Sequence, residues 1–305
     1  MELSIALPTA GSWATPANIT AAAQAAERSG CRGVWTFQRV LYPVGTEMPS
    51  VYRSVIDPLV SLAFAAAITE RVRLGVAVVN GPFYAPAVLA KLLSGLDVLS
   101  GGRLDAGLGL GWNAEEYETV GLPKQRRGRR FDELLDCLDA LLTQDPVSFR
   151  GEFFTVPESH VLPRPVQQPR PPILIGGSSE VAYRRAGTRG DGFISSSRAS
   201  LPDVAAAMVV VREAAEAAGK AAPRCVVRGV TRVRDEPASD AKRQRLEGTP
   251  EQISADLADF AAAGIDEVFL DLNFDSDEVG NPDADPDRSM EKLHAVLEAC
   301  ADVLR

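Results

Sequence analysis

Arg71-Val72-Arg73-Leu74-Gly75-Val76-Ala77-Val78-Val79 is the stretch on which the fold turns. It is rich in β-branched residues and nearly continuous in apolar ones from Leu74 onward, the pattern of a strand buried on both faces, as in a parallel sheet covered by helices. Working outward, strand and helix patterns alternate without a break. Leu3 to Leu7 and Cys31 to Thr36 read as strands upstream, with helices over Pro16 to Ser29 and Pro58 to Ile68. Downstream, Val88, Leu89, Leu92, Leu93 and Leu96 have helical spacing and stop near Gly101-Gly102. Arg103 to Leu110 is the next strand, and Phe131, Leu134, Leu135, Leu138, Leu141 and Leu142 mark a long amphipathic helix.

The remaining strands are expected at Ile173 to Ile175, Asp191 to Ser195, Arg224 to Val233 and Glu267 to Leu272. Helices follow from Ser179, Leu201, Pro250 and Arg288, and Thr249-Pro250-Glu251-Gln252 carries a capping-box start. Eight strands, each followed by a helix and with no composition break, select a closed (β/α)8 barrel forming one domain over residues 1–305. Chemistry in such a barrel belongs at the C-terminal ends of the strands. The proline-rich segment Val156 to Pro172 reads as a stiff surface connection.

Composition excludes several functions. The formal net charge of −9 disfavours a broad nucleic-acid surface, because backbone binding needs Lys and Arg against phosphates. No apolar run approaches the roughly 20 residues of a membrane span, and Glu2 to Leu7 has none of the parts of an export signal, so a cytoplasmic location is expected. Cys31, Cys137, Cys225 and Cys300 are scattered and read as buried thiols, and His160 and His294 lack ligand partners, so no metal is expected. Asp271, Asp275, Asp277 and Gly280 miss the spacing of a calcium loop.

The strongest chemical signal is Gly176-Gly177-Ser178-Ser179, where a strand runs into a helix start. Glycines let an anion approach the backbone, the free N–H groups of the first turn donate to it, and serine hydroxyls add donors. The competing reading is a tight turn with a serine N-cap. Gly107-Leu108-Gly109-Leu110-Gly111-Trp112 also leaves a strand and allows close approach of a ligand, but its spacing is not that of a dinucleotide fingerprint. Asn113 and Glu116 read as a capping box. Lys124-Gln125-Arg126-Arg127-Gly128-Arg129-Arg130 is either a solvated face or a handle for an acidic ligand tail. The long loops Phe37 to Asp57 and Val233 to Gly248 are expected to shape the pocket.

Several segments in order carry a resemblance. They include Glu70-Arg71-Val72-Arg73-Leu74-Gly75, Leu96-Asp97-Val98-Leu99-Ser100-Gly101-Gly102-Arg103-Leu104, Gly109-Leu110-Gly111-Trp112, Gly151-Glu152-Phe153-Phe154, Pro163-Arg164-Pro165-Val166-Gln167, Gly190-Asp191-Gly192 and Gly248-Thr249-Pro250-Glu251. Together they resemble the luciferase-like monooxygenase superfamily over nearly the whole chain, and the branch using the deazaflavin coenzyme F-420 in particular. The resemblance implies a flavin-type ring across the barrel mouth, against a non-proline cis peptide that maps onto Ala77-Val78, with Asn80 just beyond. It implies that Gly109, Gly111 and Trp112 line the same face and that Gly176, Gly177, Ser178 and Ser179 hold the cofactor phosphate. Where many relatives end the second strand in Asp-His, this chain has Gln38-Arg39. Neither is a proton donor at neutral pH, so the expected role of Arg39 is to fix a substrate carboxylate or steady an enolate, against a plain rim ion pair with a nearby carboxylate.

The activity implied is hydride transfer between coenzyme F-420 and a small organic substrate, such as an unsaturated carbonyl compound or an alcohol. An FMN-dependent monooxygenase and a non-catalytic flavin-binding protein are the alternatives. A small-molecule substrate, no nucleic acid, no membrane and a homodimer complete the expected partners.

Overall fold

The chain's computed structural model describes residues 1–239, 243–275 and 281–304. Eight short strands lie parallel: β1 (Glu2–Ala6), β2 (Gly33–Thr36), β3 (Arg73–Val76), β4 (Leu104–Gly109), β5 (Ile173–Gly176), β6 (Gly192–Ile194), β7 (Arg224–Val230) and β8 (Glu267–Asp271). Each pairs with the next in order, and β8 pairs with β1 in the register Ser4 to Phe269, which closes the ring. The (β/α)8 barrel expected from the strand count is the observed fold.

Eight helices cover it: α1 (Pro16–Ser29), α2 (Pro58–Ile68), α3 (Pro86–Leu99), α4 (Arg127–Thr143), α5 (Glu180–Arg189), α6 (Leu201–Ala217), α7 (Pro250–Ala262) and α8 (Pro286–Ala299). Local chemistry sets most of their starts. Proline opens α1, α2, α7 and α8 behind Thr15, Asp57, Thr249 and Asp285, whose side chains accept the orphan N–H groups of the first turn. The capping box of Thr249 and Gln252 is present as read. No helix among the described residues is long and apolar enough to cross a membrane.

Three segments depart from the sequence reading. The run Arg71 to Val79 is not one strand: β3 stops at Val76, the Ala77-Val78 peptide is cis, and Val79–Asn80 then pairs with β4. Arg224 to Val233 divides at Thr231, whose hydroxyl donates to the Gly229 carbonyl at 2.9 Å, and Arg232–Val233 leaves the barrel to pair with Glu247–Gly248. The connection read from Val156 onward starts inside the second strand of an antiparallel hairpin, Val147–Arg150 against Thr155–Ser159.

The barrel interior is filled by Ala6, Trp35, Ala77, Leu174, Ile194, Val226 and Phe269. Trp35 stacks on Phe269 with ring centres 5.0 Å apart, and Gly75 makes room for it, since a Cβ there would sit 2.4 Å from the indole. Below this layer, at the N-terminal ends of the strands, lies a ring of charge. Asp105 accepts from Arg73 Nε at 3.0 Å and Arg224 Nη2 at 2.9 Å, while Glu267 accepts from Ser4 Oγ at 2.6 Å and Trp35 Nε1 at 2.8 Å and faces Arg32 at 3.1 Å. Burial alone would raise the Asp105 carboxyl, but the hydrogen bond from Arg73 and the charge of Arg224 bring it below the ordinary carboxylate range. Burial pushes the Glu267 carboxyl up despite Arg224. The interior is thus plugged and sealed from below, which leaves the opposite end for ligands.

Candidate active site

At the C-terminal mouth the strand ends enclose a cleft of about 350 Å³. The structure brings the residues expected to act on substrate or to touch the cofactor ring and phosphate to its lining: Gln38 and Arg39 after β2, Ala77, Val78 and Asn80 after β3, Gly109, Gly111 and Trp112 at and after the end of β4, and Gly176, Gly177, Ser178 and Ser179 at and after the end of β5. Phe37, Tyr52, Arg127, Ser195, Ser196, Ser197 and Arg228 join them. The loop from Phe37 to Asp57 contributes as expected through Phe37, Gln38, Arg39 and Tyr52. Among the described residues none from 233–248 does: Val233, Arg234 and Asp235 line a separate recess beside α7 and α8.

Val78 forms the floor, and two of the glycines make room for it. A Cβ on Gly109 would lie 2.5 Å from Val78 Cγ2, and one on Gly176 would lie 2.7 Å from Val78 Cγ1. The two glycines thus let this side chain stand between β4 and β5 while lining the cleft themselves. Gly111 differs: its φ of +72° is the left-handed turn that swings Trp112, half exposed, over the cleft.

The serine N-cap expected at Gly176 to Ser179 is present, and it leaves other donors of the loop unused. Ser179 caps α5, its hydroxyl accepting from Ala182 N at 3.4 Å, and Gly177 lets the loop close on Ala182, where a Cβ would meet it at 2.5 Å. The remaining N–H groups of the first turn have no partner within the helix, and Ser178 is exposed beside them, so the loop presents donors and the positive end of a helix dipole to the cleft. A second recess of about 560 Å³ shares Gly177, Ser178 and Ser196 and runs between α5 and α6 past Tyr183 and Arg198.

Gln38 is fully engaged. Its amide nitrogen donates to Tyr84 Oη at 2.8 Å and its oxygen accepts from Asn80 N at 2.8 Å, so it ties the segment after Val78 to the Tyr84 phenol. Burial, with the charge of Asp57 added, pushes that phenol above its ordinary range. Arg39 lies 3.0 Å from Glu116, both side chains almost wholly buried, with its guanidinium against the rings of Tyr52 at 4.5 Å and Trp112 at 4.8 Å, which touch each other with centres 6.4 Å apart. Its Nη1 is the atom that faces Glu116, and its Nε has no hydrogen-bond partner. Asn113 does cap the short helix Ala114–Thr119, but the Glu116 carboxylate does not complete a capping box. It accepts from Val40 N at 2.8 Å and faces Arg39 instead.

Sequence reading missed Arg228. It sits on β7 two residues after Val226, a barrel-interior side chain, and that period of two was the available signal for an inward charge. Its Nε donates to Asp271 at 2.7 Å, Nη1 reaches the Ala77 carbonyl at 3.3 Å, and the group lies over Phe37 and Phe274. Of the basic run, only Arg127 lines the cleft. Arg126 and Arg129 pair with Glu152, and Lys124 donates to the Trp112 carbonyl at 2.8 Å.

Elsewhere the cysteines are buried thiols, Cys31 and Cys225 pushed up to about 12 and Cys137 to about 11 by burial, and His160 is paired with Asp145 on the surface. Asp271 and Asp275 engage Arg228 and Arg234, whereas Asp277 and Gly280 lie outside the described residues. No group of three or more metal-ligating side chains occurs among the described residues. The mouth has the parts to fit a long ligand with a phosphate: donors at the Gly176–Ser179 loop, a ridge formed by Val78, and the guanidiniums of Arg39 and Arg228, each backed by one carboxylate.

The sequence pattern of the luciferase-like monooxygenases matches residues 1–247. An uncharacterized protein of Mycobacterium tuberculosis is 35% identical over 210 residues, 65% of this chain and 73% of that one. The FMNH2-dependent dimethylsulfone monooxygenase of Pseudomonas putida is 32% identical over 202 residues, 65% of this chain and 53% of that one. In three dimensions an F-420-dependent secondary alcohol dehydrogenase, solved with an F-420–acetone adduct, superimposes with a TM-score of 0.77 at 18% identity, covering 98% of this chain and 99% of that one.

Proposed function

This chain belongs to the luciferase-like monooxygenase family, and from that membership and the geometry of the mouth we propose an oxidoreductase that binds coenzyme F-420 and transfers a hydride between it and a small organic substrate. The observation that carries the reading is the single cleft in which the Gly176–Ser179 cradle, the Val78 ridge and the guanidiniums of Arg39 and Arg228 converge. The bound cofactor supplies the redox chemistry; the chain supplies binding, orientation and charge. Ser178, Ser179 and the start of α5 hold the phosphate. Val78, propped in the space left by Gly109 and Gly176, backs the ring, and Gln38 keeps Asn80 in place beside it. Phe37, Tyr52 and Trp112 keep water from the opposite wall. Arg39 and Arg228 stand ready to offset negative charge that grows on a substrate oxygen.

Two features favour a deazaflavin with an acidic tail. Arg127 faces the cleft, and the recess beyond Ser178, with Arg198 on its wall, leaves space past the phosphate cradle. The second reading, an FMN-dependent monooxygenase, is favoured by the 32% identity to the Pseudomonas enzyme. Titration of the purified protein with each cofactor, followed by absorbance and cofactor fluorescence, separates the two. The proposal expects F-420 to bind and its reduced form to be reoxidised by a metabolite; tight FMN binding without affinity for F-420 would overturn it in favour of the second reading.

A further inference from the structure

We propose that Asn80 reads the polar edge of the bound ring: its side-chain amide donates to a ring carbonyl and accepts from the neighbouring ring N–H, so the cleft takes a ring with an imide or lactam edge and rejects one whose edge nitrogen is alkylated. The inference rests on the cofactor reading of the mouth. Among the described residues three buried polar side chains line the cleft, Gln38, Asn80 and Ser195. Two of them are spent within the chain: Gln38 on Tyr84 and Asn80 N, and the Ser195 hydroxyl as the acceptor of Arg228 N at 3.0 Å. Asn80 is 7% exposed and only its backbone is hydrogen-bonded, yet its amide oxygen and nitrogen are not shut away from the cleft. A ligand that displaces water from such an amide must bring an acceptor and a donor of its own or lose affinity.

The amide is also held in one plane. Asn80 N donates to Gln38 Oε1 at 2.8 Å, and Val79–Asn80 pairs with Leu108–Gly109. A Cβ on Gly111 would lie 3.1, 3.2 and 3.3 Å from Asn80 Cγ, Oδ1 and Nδ2. Near-equal distances to the three atoms put Gly111 over the face of the amide, which leaves the edge carrying oxygen and nitrogen to the cleft. Asn80 stands two residues after Val78, about 7 Å along an extended chain, so a flat ring lying on the Val78 ridge brings its rim to the amide. The rim that fits is a carbonyl beside an N–H, since the amide offers one donor side and one acceptor side. Flavins and deazaflavins carry that pair in their dione ring, with one N–H between two carbonyls, and lack it at the opposite end of the ring system.

The test is equilibrium titration of the purified protein, read by ring absorbance and fluorescence, with two pairs of probes: FMN and 3-methyl-FMN, and the 5′-phosphate of 8-hydroxy-5-deazariboflavin and its 3-methyl form. For the ring system that binds, the methyl group is expected to weaken binding tenfold or more. Asn80→Ala is expected to weaken the unmethylated ring by a similar factor and to reduce the methyl penalty to less than twofold, at an unchanged Tm, because the amide it removes bonds to nothing else in the chain. Asn80→Asp keeps an acceptor for the ring N–H and loses the donor, so affinity falls while the methyl penalty stays, a split that mere loss of structure does not produce. A methylated ring bound as well as its parent, a methyl penalty of the same size in Asn80→Ala, or an unchanged ring affinity in Asn80→Ala would overturn the proposal and leave the cofactor reading standing. Failure of both parent rings to bind the unaltered protein would instead defeat the cofactor reading, and this assignment with it.

Discussion

The two ends of the barrel are built from the same pair of residue types and come to opposite results. At the bottom, Asp105 and Glu267 are enclosed by Arg32, Arg73 and Arg224, two arginines to each carboxylate, under the filled interior of the barrel. At the top, Arg39 and Arg228 each have one carboxylate behind them and aromatic rings against them, and both line the open cleft. A ring of charge sealed inside the barrel holds strands together. One that borders a cleft can act on what enters it. Ion pairing by itself therefore says nothing about role; what the pair faces does.

The largest expected effect breaks the closed end. Asp105→Asn strands two arginines against a neutral amide and is expected to cost about 3–5 kcal/mol, read as a lower Tm, while cofactor affinity of the folded protein stays the same. The pH dependence has a definite sign. The folded-state value of Asp105 is lowered, so its contribution is present above the ordinary 3.8 and lost as pH falls through the folded value. Glu267, raised by burial, contributes below 4.5 and loses that contribution as pH rises through its folded value. Asp105→Asn should accordingly flatten the acid limb of the stability curve, and an unaltered limb would remove Asp105 from this role.

Next comes the ridge between the two ends of the cleft. Gly109→Ala forces a methyl against Val78 and is expected to destabilise by about 1–3 kcal/mol and to weaken cofactor binding at least tenfold. Val78→Ala in the same chain removes the clash and should restore the stability, so a double-mutant cycle with no coupling would show that the glycine serves something else. Ser179→Ala removes the cap of α5 and is expected to cost about 1 kcal/mol in thermal unfolding, with a further loss of affinity for phosphorylated cofactors. The smallest effect is at the basic run. Arg127→Glu should weaken F-420 with a long tail more than a tail-less analogue, in a salt-dependent way, whereas Arg126→Glu, whose partner is Glu152, should not distinguish them.

The barrel was legible because each strand is a short apolar run of β-branched residues and each helix announces its start, as at Thr249-Pro250 and Asp57-Pro58. The cradle was legible because strand, glycines, serines and helix start are contiguous. What stayed hidden depends on contacts between distant segments. Glu116 has the spacing of a capping box, and only the fold brings it to Arg39. Gly109 and Gly176 also make room for Val78, a packing role that no local spacing shows. The basic run looks uniform until Glu152 removes Arg126 and Arg129 from play. Arg228 lies inside an apolar strand, where its inward parity was the one local clue.

We propose that the Gly176–Ser179 loop holds a cofactor by its phosphate. Its most direct test compares phosphorylated with phosphate-free forms of one ring system, FMN against riboflavin and F-420 against its phosphate-free deazaflavin, by equilibrium titration of the unaltered protein and of Ser178→Glu. The account predicts that the phosphate improves binding of the preferred ring system about 100-fold or more and that Ser178→Glu abolishes most of that advantage, as a charge placed on an anion cradle should. Equal affinity for the two forms, or an advantage that survives Ser178→Glu, would contradict it.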